Sequence, residues 1–202
     1  MPSTFVYLIR HGRVVGAETR RFIGHTDVPL SREGEEQIRA LAARLATVPI
    51  AAVYSSDLLR ARRSAELIAA PHGLAPSTVP ALREMAMGRW EGLTAEEIEC
   101  REPGAFREWM AALGTFPFPE GESVPDLVGR AWPAVERIVR AHQGTRVAIV
   151  AHGGTNRGIL CRALGIPLDR LLSFEQDYGA LSLLEWTGAA WRLHLLNQSD
   201  PG

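Results

Sequence analysis

The chain has 202 residues, 46% of them hydrophobic and 22% charged, with a formal net charge of −1. This composition predicts a globular chain of one domain and argues against a general nucleic-acid-binding surface. All 22 basic residues are arginine, which excludes a P-loop lysine and a Schiff-base lysine.

The sequence also lacks patterns for membrane insertion or export. No segment is long and apolar enough to cross a membrane, and the first residues lack the apolar core of a signal peptide. The two cysteines, Cys100 and Cys161, are far apart and have no metal-ligand spacing. We therefore expect no membrane contact and a reducing, cytoplasmic compartment.

Apolar runs typical of strands alternate with amphipathic patterns typical of helices. Predicted strands cover residues 5–9, 51–54, 77–79 and 146–151, and predicted helices cover residues 31–46, 58–70, 123–141 and 156–164. The runs 180–186 and 191–197 are predicted to form a closing hairpin. This order predicts an α/β fold with a mainly parallel central sheet, helices on both faces and an antiparallel edge strand.

We predict a single domain over residues 1–202, with an insertion at about 92–122 that covers the site. Thr94 and Glu97 are spaced as a capping box that opens a short helix there. The side chains that follow could cover the site or pack locally, and they are Phe106, Trp109, Met110 and Phe116.

The first predicted strand runs directly into Arg10-His11-Gly12. Open α/β sheets bind ligands at the carboxyl ends of their strands, so this imidazole stands at a candidate site. Gly12 allows a sharp turn or a close approach, and the planar fork of Arg10 suits phosphate or carboxylate. A histidine at a strand end can also be an ordinary residue that bonds to the backbone.

The stretch between residues 53 and 66 has the pattern of a strand, a cap and a helix. Ser56 or Asp57 can cap the helix, which places Arg60 in its first turn. An arginine near a helix start opposes the helix dipole, so Arg60 there suggests a bound anion. Arg62 and Arg63 project elsewhere around the helix and fit a solvated surface.

A second strand–histidine–glycine unit follows far downstream, at His152-Gly153-Gly154. Two glycines at a strand-to-helix turn expose backbone N–H groups at a helix N-terminus, which is a ready anion site. Because the pattern occurs twice, we favour one shared site over two ordinary strand-end histidines.

Six segments occur together in an order that resembles the histidine phosphatase superfamily, the phosphoglycerate-mutase-like proteins. They are residues 8–12 (Leu-Ile-Arg-His-Gly), 24–30 (Gly-His-Thr-Asp-Val-Pro-Leu), 55–61 (Ser-Ser-Asp-Leu-Leu-Arg-Ala), 82–92 (Leu-Arg-Glu-Met-Ala-Met-Gly-Arg-Trp-Glu-Gly), 121–123 (Gly-Glu-Ser) and 151–154 (Ala-His-Gly-Gly). The resemblance extends from about Val6 to about Leu160. It is closest to the α-ribazole phosphatase and fructose-2,6-bisphosphatase-like branch.

The resemblance implies a role for each matching residue. His11 matches the nucleophile that becomes phosphohistidine, and Arg10, Arg60 and His152 match the groups that hold the phosphoryl oxygens. Glu84 matches the proton donor to the leaving group. Gly24 matches a loop position that approaches the substrate, and the remaining candidate substrate contacts are Gly12, Arg13, Ile23 and Gly153.

The chemistry of phosphoryl transfer agrees with these roles. A neutral imidazole is a nucleophile near pH 7, and two arginines with a second, protonated histidine can stabilise the phosphoryl charge without a metal or cofactor. An alkoxide leaving group needs an acid, so Glu84 must be protonated when substrate binds and then acts as base for water. Without the motif order, Glu84 would be interpreted as a surface carboxylate paired with Arg83 or Arg89.

The chain departs from the family after its first motif. Many members continue with an acidic or polar residue, then Thr or Ser, and have an Asn a few positions on. This chain has Arg13, Val14 and Ala17 there. Arg13, Arg20 and Arg21 could bind a second anionic group of the substrate or line a solvated loop.

Three functions compete: a phosphomonoesterase, a mutase of the phosphoglycerate type, and a non-catalytic binder. Loss of His11 or Glu84 would mark the binder, and both are present. The mutases carry a longer insertion before the second His-Gly unit, so the compact stretch here favours the phosphatase.

Within the resemblance, segment 116–123 and the chain length are most similar to the α-ribazole phosphatases, which implies α-ribazole 5′-phosphate, from a late step of cobalamin synthesis, as the substrate. A promiscuous sugar-phosphate phosphatase is the alternative. The expected partner is a small phosphorylated metabolite, with a homodimer as the candidate assembly.

Overall fold

The structure is a computed structural model that describes residues 2–199, and its centre is a six-stranded sheet. The strands are β1 (Thr4–Arg10), β2 (Ile50–Ser55), β3 (Ser77–Thr78), β4 (Arg146–Ala151), β5 (Leu181–Trp186) and β6 (Trp191–Gln198). Their order is β3-β2-β4-β1-β5-β6. The first four are parallel, and β5 and β6 add an antiparallel edge. The predicted α/β fold is therefore confirmed.

Helices cover both faces of the sheet. The α-helices of the described chain are α1 (Arg32–Leu45), α2 (Leu59–Ala69), α3 (Ala95–Arg101), α4 (Ala105–Ala111), α5 (Val124–Ala141) and α6 (Gly153–Leu164). Tyr7 and Ile9 of β1 pack with α1 and α2, whereas Val6 and Leu8 pack with α5 and α6. Because both faces of β1 are buried, its sequence is one continuous apolar run.

Helix α6 begins three residues before the predicted start at Asn156. His152 is its N-cap residue, and Gly153 and Gly154 form its first turn although glycine is a poor helix former. The physical reason is tertiary: the Glu84 carboxylate accepts hydrogen bonds from first-turn N–H groups that would otherwise lack a partner.

The predicted cap of α2 is wrong. The N-cap residue is Leu58, which has no side-chain cap bond, and neither Ser56 nor Asp57 caps the helix. Instead, Asp27 of the preceding loop accepts a hydrogen bond from the Leu59 N–H at 2.7 Å. The helix is thus capped by a carboxylate that is distant in sequence, and not by the neighbouring residues that local spacing predicted.

The segment between α3 and α5 packs as a third apolar cluster beside the sheet. The predicted capping box of Thr94 and Glu97 opens α3. Trp109 of α4 packs against Phe22 with ring centroids 5.5 Å apart, whereas Met110 is exposed.

Within residues 2–199, no helix has the length and apolar character needed to cross a membrane.

Candidate active site

The sheet order brings the two histidines together. Strands β1 and β4 are parallel neighbours with Arg10 opposite Ala151, so the residues that follow them emerge side by side. The His11 N–H donates to the Ala151 carbonyl at 3.1 Å. The His11 and His152 rings lie 5.0 Å apart between centroids, and the two residues are only 4% and 0% exposed. The two His-Gly units therefore form one site.

The His11 ring is held in one tautomer. Its Nδ1 lies 2.8 Å from the Gly12 carbonyl oxygen, and a carbonyl can only accept, so Nδ1 carries the proton and Nε2 keeps a free lone pair. Burial, and next the charges of Arg60 and Arg10, hold the pKa of His11 well below its ordinary value of 6.5. The ring is consequently neutral near pH 7 and suited to nucleophilic attack.

The His152 ring is bound through its other nitrogen. Its Nε2 lies 2.6 Å from the Ser56 hydroxyl, and its buried Nδ1 has no partner among the described residues. Burial, followed by the charge of Arg60, holds the pKa of His152 well below its ordinary value. Desolvation and the arginines thus both oppose a positive charge on His152, whereas the protonated state beside a phosphoryl group stays a prediction.

Arg60 lies in the first turn of α2, as predicted, and is 1% exposed. It donates to the carbonyl oxygens of Thr26 at 2.8 Å and Gly24 at 2.7 Å. Burial lowers the pKa of its guanidinium, which still stays charged near neutrality. Arg62 is exposed, and Arg63 is paired with carboxylates. The prediction that Arg60 differs from its two neighbours agrees with this geometry.

Arg10 is held without a carboxylate. Its Nη1 donates to the Gln176 carbonyl, and its Cζ lies 3.8 Å from the centroid of the Tyr178 ring. Its Nε is buried and has no partner among residues 2–199. Within the described chain, no carboxylate lies within ion-pair distance of Arg10 or Arg60, so both charges are available to an anion.

Glu84 points its carboxylate at the start of α6. The oxygens accept from the N–H groups of Gly154 at 3.0 Å and Thr155 at 3.1 Å, and from Met85 N–H at 2.9 Å. Glu84 is not the partner of Arg83, which pairs with Asp57. The interpretation as a surface carboxylate therefore fails, and the helix N-terminus positions this group in the site.

The backbone around Glu84 is held by Arg130. This guanidinium donates to the carbonyl oxygens of Ala81, Arg83 and Glu84 at 2.8, 2.9 and 2.7 Å, and it pairs with Glu122 at 2.6 Å. One side chain of α5 thus fixes the segment that carries the candidate acid. Nothing in the local sequence indicates this contact.

Two adjoining cavities meet at Arg10 and Glu84. The first is ≈ 220 Å³ and is lined by Arg10, His11, Arg20, Arg21, Phe22, Ile23, Gly24, Arg60, Glu84, Met87 and Tyr178. The second is ≈ 200 Å³ and is mainly apolar, with a lining of Arg10, Phe22, Glu84, Met85, Met87, Trp109, Leu113, Val124, Gly153, Gly154, Arg157, Leu171 and Leu172. The site therefore offers a charged region and an apolar region on either side of Glu84.

Most of the predicted substrate contacts line these cavities, but Gly12 and Arg13 do not within the described chain. A Cβ at Gly12 would lie 2.2 Å from the Gly34 carbonyl oxygen, so this glycine permits close packing under α1. Arg13 is turned toward Glu33, 3.3 Å away. Arg21 is paired with Glu97 at 2.6 Å.

The positive charge in the site comes from arginine side chains. In the part of the chain that the structure describes, no group of three or more His, Cys, Asp or Glu is arranged to hold a metal ion. Cys100 and Cys161 are both free.

Sequence reasoning missed several residues that complete the site. Ser56 holds His152, Thr155 holds Glu84, and Tyr178 contacts both Arg10 and His11. The signal for Ser56 was present, because it follows β2 directly. Tyr178 could be found only from the position of β5 next to β1.

Comparison with known proteins gives the same classification as the geometry. The histidine phosphatase superfamily (branch 1) pattern matches residues 6–199. The probable phosphoglycerate mutase GpmB of Serratia proteamaculans is 33% identical over 162 residues, covering 80% of this chain and 75% of the relative. Phosphoglycerate mutase-like protein 4 of Arabidopsis thaliana is 36% identical over 161 residues, covering 78% and 70%.

Solved structures of phosphatases have the same fold. A mycobacterial glucosyl-3-phosphoglycerate phosphatase superposes with a TM-score of 0.88 at 29% identity, over 96% of this chain and 99% of its own. The α-ribazole phosphatase of Shigella flexneri superposes with a TM-score of 0.86 at 26% identity, over 96% of both chains.

The chain belongs to the histidine phosphatase superfamily. The predicted family, the fold and the enzyme class, a phosphoric monoester hydrolase, are confirmed by these matches.

Proposed function

We propose that this protein is a metal-independent phosphomonoesterase that acts through a phosphohistidine on His11, with Glu84 as general acid and base. One observation carries the proposal. The free Nε2 of a neutral His11 lies in a cavity that two arginines without carboxylate partners share with Glu84. A phosphoryl group there would meet a nucleophile, positive charge and a proton donor at once.

The geometry supports a two-step reaction. In the first step, Nε2 of His11 attacks phosphorus, the bond from phosphorus to the leaving oxygen breaks, and that oxygen takes a proton from Glu84. In the second step, Glu84 takes a proton from water, the water oxygen bonds to phosphorus, and the N–P bond breaks. Arg10 and Arg60 neutralise the charge on the equatorial oxygens in both steps.

His152 contributes a neutral donor to this reaction. When the Ser56 hydroxyl donates to Nε2, the ring proton stays on Nδ1, which has no protein partner in the described chain. Nδ1–H can then donate to a phosphoryl oxygen. The negative charge of that group would favour the protonated ring, opposing the effect of burial.

The apolar cavity beside Glu84 supports a substrate whose leaving group carries a flat apolar part, as α-ribazole 5′-phosphate does. Trp109 and Leu113 line this cavity together with Glu84. The likeness to the Shigella enzyme agrees with the same choice. A promiscuous sugar-phosphate phosphatase is the second candidate, which Arg20 and Arg21 favour because they line the charged cavity. Phosphoryl transfer of the mutase type remains a third candidate, on the strength of the GpmB relatives.

The expected partner is a small phosphorylated metabolite, and cytoplasmic location and a homodimer stay predictions.

The test is a panel of phosphomonoesters assayed with and without EDTA. We expect hydrolysis unaffected by EDTA and fastest for α-ribazole 5′-phosphate, and Trp109→Ala should slow that substrate more than ribose 5-phosphate. Met110→Ala, a change of an exposed neighbour, is the control. Activity abolished by EDTA and restored by zinc or magnesium would contradict the mechanism.

A further inference from the structure

The segment before β5 is bonded to the catalytic strand end. The Gly179 N–H donates to the His11 carbonyl at 3.1 Å, and the Arg10 N–H donates to the Ala180 carbonyl at 3.0 Å. Tyr178 immediately precedes these two contacts in the sequence. Its backbone is therefore fixed relative to the residues that carry out the reaction.

The Tyr178 ring contacts both of those residues. The Arg10 Cζ lies 3.8 Å from the ring centroid, and the His11 ring centroid lies 5.6 Å away. Tyr178 also lines the charged cavity. Its hydroxyl makes no hydrogen bond with any described residue, so the contacts are made by the ring face and edge.

The electrostatic setting of Arg10 explains why an aromatic ring suits this place. Arg63, Arg83 and Arg130 each pair with a carboxylate, but Arg10 is held by a carbonyl oxygen and this ring. The face of an aromatic ring attracts a guanidinium without bringing a negative charge. A carboxylate in the same place would compete with the phosphoryl group for Arg10 and repel it.

A buried donor of Arg10 indicates what the contact with the ring achieves. Nε is buried and has no partner among residues 2–199. A buried N–H group that is left without a partner is costly, so such a group at a site is normally completed by a ligand. A guanidinium held 3.8 Å from the ring centroid presents its planar set of donors in one orientation, which suits phosphoryl oxygens.

We propose that Tyr178 is a positioning residue whose ring face holds Arg10 in the orientation that binds the phosphoryl group. The proposal rests on the phosphatase function proposed above. The hydroxyl has no part in it, and neither has the leaving group. Loss of the ring should therefore weaken phosphate binding for every substrate.

The test compares Tyr178→Phe, which keeps the ring face, with Tyr178→Leu, which keeps an apolar side chain without it. Inorganic phosphate is the probe, used as a competitive inhibitor of para-nitrophenyl phosphate hydrolysis. We expect Phe to stay within about two-fold of the parent. Leu should weaken phosphate inhibition and lower kcat/KM by roughly 3- to 30-fold, the range of a cation–π contact. The thermal midpoints of the two variants should match.

A double-mutant cycle with Arg10→Gln separates positioning from general packing. We expect the effect of Tyr178→Leu on phosphate inhibition to vanish when Arg10 is already replaced. Trp191→Leu removes a ring of β6 that lines neither cavity and should leave phosphate inhibition unchanged. Equal losses in Phe and Leu variants, no loss in Leu, or an undiminished loss in the Arg10→Gln background would each overturn the proposal.

Acid-free mass spectrometry of enzyme briefly incubated with substrate distinguishes failure of the Tyr178 proposal from failure of the phosphatase mechanism. Phosphohistidine on His11 together with an inert Tyr178→Leu substitution would refute only the role of Tyr178. Hydrolysis without any phosphoryl group on His11 would refute the proposed mechanism and, with it, this inference.

Discussion

The two strand–histidine–glycine units are alike in sequence and opposite in the ring nitrogen that they leave free. His11 uses Nδ1 to bond the Gly12 carbonyl and keeps Nε2 free. His152 uses Nε2 to bond Ser56 and leaves Nδ1 without a partner in the described chain. The motif places an imidazole at the sheet edge, but its hydrogen-bond partner decides between nucleophile and donor.

The chain that follows each histidine explains the difference. After β1 the backbone enters a loop that packs closely against α1, and the Gly12 carbonyl accepts a hydrogen bond from the His11 ring. After β4 the backbone enters α6, where the His152 carbonyl accepts from the Asn156 N–H at 2.8 Å. Helical carbonyls are occupied by the helix, so the second ring bonds to a side chain from the neighbouring strand end.

The largest expected effect comes from replacing the two histidines themselves. His11→Ala should remove the acid-labile phosphoryl group and lower kcat by roughly four orders of magnitude or more, because the nucleophile is lost. His152→Ala should still form phosphohistidine, with a loss of about 10²- to 10³-fold as expected for one charge-stabilising donor. Rapid-quench labelling and steady-state kinetics measure both. Full activity in His11→Ala would contradict the assignment.

Glu84 should matter according to the leaving group. Glu84→Gln should slow phosphorylation by an alkyl phosphate by about 10²- to 10⁴-fold, because an alkoxide needs a proton. Para-nitrophenyl phosphate should be affected far less in the same step, since nitrophenolate leaves without one. Rapid quench is required because dephosphorylation also loses its base. The same loss for both substrates would assign Glu84 a structural role and move the proton donor to Glu91 or His152.

Arg60 acts on both histidines, so its removal should change rate and pH dependence together. Arg60→Ala should cost about 10²- to 10³-fold in kcat, whereas Arg62→Ala should stay within a few-fold. Burial and the charge of Arg60 lower the pKa of His11, so the parent enzyme should keep a neutral nucleophile below pH 6.5. Removing that charge should raise the His11 pKa and shift the acid limb of kcat/KM to higher pH. Comparable losses in both variants would show that Arg60 has no special role.

The smallest effect tests the hydrogen bond that distinguishes the second unit. Ser56→Ala should lower kcat/KM by about 5- to 30-fold, since it leaves a buried ring nitrogen without its partner. Nitrogen NMR of the imidazoles should show a change of tautomer at His152. Ser64→Ala is the control, and it should leave the His152 tautomer unchanged. It also removes a buried hydroxyl, but that hydroxyl accepts from the Gly12 N–H at 3.2 Å in the first unit. An unchanged His152 tautomer in Ser56→Ala would remove the basis of the comparison.

The sequence by itself determined the fold class and the candidate catalytic set. The signals were local: apolar runs of strand length, their alternation with helical patterns, and the repeated His-Gly unit. Such signals can be recognised from the sequence alone because each depends only on residues that are close together in the chain. Arg10, His11, Arg60 and His152 stand in such patterns, whereas Glu84 was predicted only from the motif order of the family resemblance. The structure brings all five together at the carboxyl edge of the sheet.

Contacts between residues distant in sequence were decided only by the tertiary structure. Asp27 caps α2, and Glu84 extends α6 by supplying acceptors that no local residue provides. The neutral state of His152 follows from burial beside Arg60, and Tyr178 reaches Arg10 because β5 pairs with β1. A side chain's protonation and orientation depend on which elements the sheet order makes neighbours, and that order is not written in any single segment.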